Sequence, residues 1–311
     1  MFKGLTIIFI LSFVSVLSGQ DKMLEENLKR HIEILSLQIG ERNVFRYENL
    51  EKTANYIKKE LQSFGYSVEE QVYFIDKMPY RNIIANKNSE GQKAIVVCAH
   101  YDSVFGSPGA DDNASGIAGL LELARLLAKD KLNKTIKFIA FVNEEPPFFA
   151  TKDMGSFHYA KRAKKEGLKI EAILCLESIG FYSEKEDSQS YPPGLSLFYP
   201  NRADFIAFVS NLSSQRLLKR VVKELKKASN FPLEYLIAPL SLVPAIAFSD
   251  NWSFWKFGYK AVMITDTAFY RNPYYHSGLD LPHTLDYTRL SKLVEGLYNV
   301  LLSLGKENIN E

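Results

Sequence analysis

The sequence predicts an α/β fold with three layers, in which helices cover both faces of a central mixed, mostly parallel sheet. Two observations lead to this prediction. Apolar, strand-like runs alternate with stretches of helical periodicity through the middle of the chain, as in a parallel sheet covered by helices. Polar residues directly follow several of the apolar runs, and the carboxyl ends of strands are where ligands bind in such sheets.

Helices and strands are expected in a definite order. Apolar residues near helical spacing predict helices at 22–39 and 47–63, the second with Gly65 as a C-cap. The remaining expected elements are strands at 71–75, 81–86 and 94–100, a helix at 115–128, a strand at 136–142, a helix at 153–165, a strand at 171–177, a polar loop at 181–192, strands at 195–199 and 260–265, and a closing amphipathic helix at 286–303.

The composition is that of an ordinary globular protein, with 46% hydrophobic and 24% charged residues among 311. Neither an internal repeat nor a clear linker occurs, so we expect one domain over residues 20–311. The net charge of +2, without a basic block interleaved with aromatics, gives no reason to expect nucleic acid. Cys98 and Cys175 each end an apolar run, which predicts buried free thiols. Any bound metal would therefore need His, Asp and Glu ligands.

The first 19 residues have the features of a signal peptide. Lys3 supplies a positive charge, residues 5–16 are apolar, and small residues follow at 16–18. The apolar run is too short for a comfortable membrane span, although an uncleaved N-terminal anchor is the alternative. We expect an exported protein, periplasmic or secreted, with no stable membrane span after cleavage.

Histidine and carboxylate side chains stand at successive strand ends. His100, the pair Glu144–Glu145, and Glu177 each follow an apolar run, and Asp111–Asp112 precedes a helix. Each alone has a plainer explanation, such as a helix N-cap for the aspartate pair, but their joint occurrence at one sheet edge does not. Crowded carboxylates repel one another unless a cation compensates them.

Imidazole nitrogen and carboxylate oxygen are the ligands that zinc could use here. His276 and His283 offer further imidazoles in a Pro/Gly-rich loop, and Asp102 could orient the ring of His100. Two histidines, a bridging carboxylate and two further carboxylates would hold two divalent ions. A free carboxylate, one of the Glu144–Glu145 pair, would then serve as general base.

These motifs resemble the co-catalytic zinc aminopeptidase family. The family includes secreted bacterial leucyl-type aminopeptidases, the peptidase domain of glutamate carboxypeptidase II, and glutaminyl cyclases, and its fold is that of the phosphorylase/hydrolase-like zinc exopeptidases. The resemblance runs from about residue 39 to about 304. It is carried by AHYDSV, GADDNASG, FVNEEPPFF, LCLESIG, FSDNWSFWKFGYKAVMITDTAFYRNPYYH and HTLDY, in the family's order.

The resemblance implies two Zn²⁺ ions per chain and a role for each ligand. His100 and Glu177 would complete one site, Glu145 and His276 the other, and Asp112 would bridge both. Glu177 departs from the Asp of many relatives, which the family tolerates.

The resemblance also implies the residues around the ions. Glu144 would be the general base that activates a metal-bridging water, and Asp102 would support the first histidine ligand. Tyr275 would stabilise the oxyanion, with the adjacent Tyr274 as the alternative. Asn251 replaces a histidine common in relatives, which predicts altered contacts to substrate or to the ligands.

The predicted function is a zinc metallopeptidase, an aminopeptidase that removes N-terminal residues from peptides. A glutaminyl cyclase-like acyltransferase with one zinc is an alternative, but cyclases lack the first ligand-histidine motif that residues 100–102 retain. Carboxypeptidase or dipeptidase specificity on the same site remains open. A third alternative is a catalytically inactive module that binds peptides or a partner. Such a module would normally have lost metal-ligand residues, and this sequence keeps them. Aromatic residues within 181–275 could line a hydrophobic pocket, although most are expected in the core.

Overall fold

The computed structural model describes residues 22–87 and 93–307, and the predicted signal peptide lies outside them. The strands are β1 (Ser67–Ile75), β2 (Met78–Lys87), β3 (Ala94–His100), β4 (Thr135–Phe141), β5 (Ile170–Glu177), β6 (Ile206–Ser210), β7 (Leu233–Ile237) and β8 (Ala261–Thr265). In this part of the chain they form one eight-stranded sheet in the order β1-β2-β4-β3-β5-β8-β6-β7. The pairs β3–β4, β3–β5, β5–β8 and β6–β7 are parallel, and the other pairs are antiparallel.

Helices cover both faces of this sheet. They are α1 (22–33), α2 (Tyr47–Ser63), α3 (Gly116–Leu127), α4 (Gly155–Lys165), α5 (Gln215–Ala228), α6 (Asn251–Lys256) and α7 (Tyr287–Lys306). Apolar residues of α1, α2, α3, α5 and α7 form the core on one face, and those of α4 and α6 pack on the other. The predicted three-layer α/β/α fold is confirmed.

Most predicted elements form close to the expected bounds. The first helix continues beyond α1 as a π-helical turn over Ile34–Ile39. The second matches its predicted range, and Gly65 follows it with a φ of +91°, which glycine adopts without steric cost. Both cysteines are free and buried, as predicted. None of the described helices combines the length and hydrophobicity that a membrane span requires.

The strand predicted at 195–199 is wrong. Leu195–Leu197 form a 3-10 turn, and the Leu197 and Phe198 side chains are 82% and 78% exposed. The sheet instead contains β6 and β7, joined by α5, and the sequence pattern predicted none of the three. The two strands have five residues each, which is too short for a clear periodic pattern, and the apolar face of α5 lies within a lysine-rich stretch.

The parallel strands place the polar strand ends at one edge of the sheet. His100 ends β3 and pairs with Phe141, which ends β4 and precedes Glu144 and Glu145. Glu177 ends β5 and pairs with the last residue of β8. Because the carboxyl ends of parallel strands meet at the same edge, these side chains converge.

Candidate metal centre and active site

The His100 ring is buried among carboxylates. Its Nε2 lies 3.3 Å from Asp112 Oδ1 and 3.2 Å from Glu177 Oε2. Its Nδ1 lies 3.2 Å from the backbone oxygen of Asp102. Burial lowers the pKa of His100, but the charges of Glu177 and Glu144 outweigh burial and raise the pKa well above its ordinary value.

A second cluster shares Asp112 with the first. His276 Nε2 lies 3.1 Å from Asp112 Oδ2 and 3.4 Å from Glu145 Oε2. Burial, reinforced by the Asp112 charge, raises the pKa of Glu145 to about 8. Burial lowers the pKa of His276, but hydrogen bonds to the two carboxylates raise it to about 10. The His276 side chain is 33% exposed, so the cluster opens to solvent on this side.

The two clusters fit two divalent cations that share one carboxylate. In each cluster, one ligand atom from each of three residues lies within 4.8 Å of the others. His100 Nε2, Asp112 Oδ1 and Glu145 Oε1 are buried and have no hydrogen-bond partner among the described residues, which is rare for buried polar atoms. Cations at these positions would satisfy the three atoms and offset the repulsion between the carboxylates. A mixed imidazole and carboxylate donor set suits Zn²⁺.

The Asp112 backbone is fixed from two sides. The Asp280 carboxylate accepts the N–H groups of Asp111 and Asp112, at 2.9 and 3.1 Å. On the other side, the Asn113 side chain donates to the carbonyl of Leu176 at 2.8 Å, which ties this loop to the end of β5. Asp112 is thereby held beside Glu177. No sequence pattern pointed to Asp280, because its partners lie 168 and 169 residues away along the chain.

Arg42 was also missed, although the family resemblance begins in its segment. Its side chain is buried and donates to the carbonyls of Tyr101, Pro108 and Gly109 at 2.7, 2.5 and 2.8 Å. Burial lowers its pKa to about 10, which leaves the guanidinium charged at neutral pH. Arg42 therefore fixes the loop that connects β3 to the Asp112 segment.

The Asp102 carboxylate contacts the glutamate pair more closely than it contacts the His100 ring. Its Oδ1 lies 3.6 Å from His100 Nδ1, which is too long for an ordinary hydrogen bond. It accepts the backbone N–H of Glu144 at 3.2 Å and that of Glu145 at 3.0 Å. Asp102 thus positions the backbone that carries both glutamates, a contact that the sequence did not predict.

Glu144 lies beside the His100 cluster but belongs to neither cluster. Its Oε2 is 3.9 Å from His100 Nε2, and burial raises its pKa well above the ordinary value. The Tyr275 ring stacks on the His276 ring with centroids 3.8 Å apart, and burial raises the Tyr275 pKa, so its hydroxyl stays protonated. Tyr274 instead packs on an aromatic ring outside the clusters.

Two of the other candidates remain outside both clusters. His283 is exposed. Asp111 accepts the N–H of Gly180 at 2.9 Å and an amide hydrogen of Asn272 at 2.8 Å, so its carboxylate ties three loops together.

A pocket of about 100 Å³ opens directly beside the clusters, with Glu177 and Tyr275 in its wall. The Ser249 hydroxyl donates to Glu177 Oε2 at 2.6 Å. Asn251 is buried and donates to the carbonyl of Ile246, another wall residue, at 2.7 Å. The rest of the wall is largely apolar and aromatic, as the aromatic content of this region suggested.

Metallopeptidases are the class of enzyme to which this fold and these clusters point. Residues 82–301 match the model of Peptidase family M28. The chain is 36% identical over 285 residues to YfbL, an uncharacterised protein of Escherichia coli strain K12, covering 89% of this chain and 87% of that protein. The chain therefore belongs to peptidase family M28, which confirms the predicted family and enzyme class.

Other similar proteins carry aminopeptidase or cyclase names. A probable leucine aminopeptidase of Trichophyton verrucosum is 26% identical over 267 residues, covering 79% of this chain and 62% of that protein. A zinc aminopeptidase from Bacillus subtilis superposes with a TM-score of 0.74 at 17% identity, covering 91% and 95% of the two chains. A Bacteroides thetaiotaomicron glutaminyl cyclase superposes with a TM-score of 0.67 at 20% identity, covering 89% and 97%. These two structures share the fold.

Proposed function

We propose that the chain is an exported di-zinc exopeptidase, an aminopeptidase that hydrolyses N-terminal residues from peptides. The observation that carries this proposal is the pair of ligand clusters that share Asp112, with Glu144 beside the His100 cluster and part of neither. The aminopeptidase names of several relatives support it. Export rests on the signal-like composition of residues 1–19.

Five side chains would hold the ions. His100, Asp112 and Glu177 form one ligand set, and Asp112, Glu145 and His276 form the other. Two divalent ions in these sets would polarise the scissile carbonyl and make a water more acidic.

The chain's own residues would move the proton and stabilise charge. Burial raises the pKa of Glu144, which suits it to hold a proton during the reaction. Glu144 accepts a proton from the attacking water and delivers it to the leaving amine as the C–N bond breaks. The Tyr275 hydroxyl, which keeps its proton, donates a hydrogen bond to the developing oxyanion. Asp102 holds the backbone of Glu144 during the transfer.

The charges around the pocket favour an aminopeptidase over a carboxypeptidase. Recognition of a substrate's C-terminal carboxylate calls for a nearby Arg or Lys. Neither occurs among the described residues that line the pocket, where the charged side chains are Glu177 and Glu234.

Blocked peptides test the proposal directly. The zinc-loaded enzyme should cleave a peptide whose C-terminus is amidated and should leave one whose N-terminus is acetylated intact. Glu144→Gln should lower kcat by about 10²–10⁴-fold with the zinc content unchanged. Glu166→Gln removes the same charge from an exposed position at the end of α4 and should have no effect. Cleavage of the acetylated peptide, or full activity of Glu144→Gln, would contradict the proposal.

A further inference from the structure

The pocket lies over one face of β8, β6 and β7. Strand register aligns a single row of residues across the sheet: Glu177 pairs with Thr265, Thr265 with Ala207, and Ala207 with Glu234. All four residues line the pocket. Neighbouring strands lie about 4.8 Å apart, so three strand steps separate the Glu177 and Glu234 backbones by roughly 14 Å. Glu234 therefore stands at the far end of the pocket from the metal clusters.

The two charged wall residues differ in their surroundings. Glu177 belongs to the His100 cluster and accepts a hydrogen bond from Ser249. Glu234 is half-buried, and its carboxylate makes no hydrogen bond or ion pair within residues 22–87 and 93–307. Burial raises the pKa of Glu234, and the field of the exposed Lys226 on α5 opposes that rise. Glu234 is thus a carboxylate that faces the pocket without a partner.

The walls between these two glutamates are suited to a long side chain with a cationic end. Tyr191, Tyr199 and Phe205 present aromatic surface, which can pack against a methylene stem and attract a cation to a ring face. The nearest buried cation behind these walls, Arg271, has its guanidinium carbon 4.6 Å from the centre of the Phe205 ring but does not line the pocket. The negative charge of Asp266 offsets the positive charge of Arg271.

From this geometry we propose that the pocket binds the side chain of the substrate's N-terminal residue and selects arginine or lysine, with Glu234 as the specificity-determining residue. The inference rests on the proposed aminopeptidase function. The methylene stem of either side chain packs along the aromatic walls, and its cation pairs with the Glu234 carboxylate. A leucine side chain is too short to reach Glu234 and leaves the carboxylate desolvated without a partner.

The test compares four p-nitroanilides, of Arg, Lys, Leu and Met, on the zinc-loaded enzyme and its Glu234→Gln variant. Methionine is the uncharged, unbranched control. We expect kcat/KM of the unaltered enzyme for Arg and Lys to exceed that for Leu and Met by at least about tenfold. Glu234→Gln should remove this advantage and leave Leu and Met within about twofold. Glu166→Gln serves again as the charge-matched control.

Equilibrium binding gives a second readout. Calorimetry should show argininamide binding at least about tenfold tighter than norleucinamide to the unaltered enzyme and about equally to Glu234→Gln. The inference would be overturned if Glu234→Gln lost kcat/KM equally for all four substrates, or if the unaltered enzyme showed no preference for Arg and Lys. Either result would leave the aminopeptidase proposal standing. Failure of the unaltered enzyme to cleave any of the four would overturn both.

Discussion

Asp102→Asn tests the contact that holds the glutamate pair. The two carboxylate oxygens of Asp102 accept one N–H each, from Glu144 at 3.2 Å and Glu145 at 3.0 Å. An asparagine at this position keeps one acceptor oxygen and turns an NH₂ group toward the other N–H. One buried backbone N–H then lacks a partner, which costs about 1–3 kcal/mol of folding free energy. The glutamate backbone also moves away from this NH₂ group.

Thermal unfolding of the metal-free protein measures the stability cost of the unpaired N–H group. Steady-state kinetics measure the effect of the displaced glutamate backbone on catalysis. At roughly 2–4 °C per kcal/mol, the Tm should fall by about 2–12 °C. The kcat of the fully zinc-loaded variant should fall too, because Glu144 is displaced. Asp76→Asn is the control, since Asp76 is exposed in the β1–β2 turn at a φ of +47° that asparagine tolerates. If Asp102→Asn lost zinc but kept its Tm, this reasoning would be refuted. That result would indicate instead that Asp102 acts mainly by orienting the His100 ring.

Two further predictions follow from the clusters. Burial lowers the pKa of each of the two histidines proposed as metal ligands, but the neighbouring carboxylates outweigh burial and raise the pKa of His276 to about 10 and that of His100 well above its ordinary value. Both rings are therefore expected to carry a proton at pH 7 without metal, and each would have to lose that proton if it binds zinc as proposed. Calorimetry in buffers of different ionisation enthalpy should detect at least about two protons released per chain and affinity that rises with pH; release near zero would contradict the ligand assignment. Separately, Gly109→Ala places a Cβ 2.3 Å from the Asp112 carbonyl oxygen, whereas Gly167→Ala, at a similar positive φ, meets nothing within 4 Å. Gly109→Ala should lower the free energy of unfolding by about 2 kcal/mol more than Gly167→Ala does, as measured by chemical unfolding. It should also weaken zinc binding, as measured by zinc titration. Equal losses of stability in the two variants would show that the Gly109 loop can move to accept the Cβ.

The strand-end residues were accessible from the sequence. His100 and Glu177 each end an apolar run, and consecutive runs of this kind form a parallel sheet whose carboxyl ends share an edge. Local pattern alone therefore predicted that these side chains and the Glu144–Glu145 pair converge.

Contacts between distant loops were not accessible in the same way. The hydrogen bonds from Asp280 to the Asp112 segment join residues 168 and 169 positions apart, and no local period encodes such a distance. Asp102 reaches the glutamate backbone only because of how two loops fold over the sheet edge. The position of Glu234 in the pocket follows from the register of four strands, and two of these strands were too short to recognise in the sequence.

The central claim is that two metal ions share Asp112. Crystals of the zinc-loaded protein measured at the zinc absorption edge test it most directly. We predict two anomalous peaks roughly 3.5–4 Å apart. One should lie among His100, Asp112 and Glu177, and the other among Asp112, Glu145 and His276. A single peak, as expected for a one-zinc cyclase, or peaks away from Asp112 would contradict it.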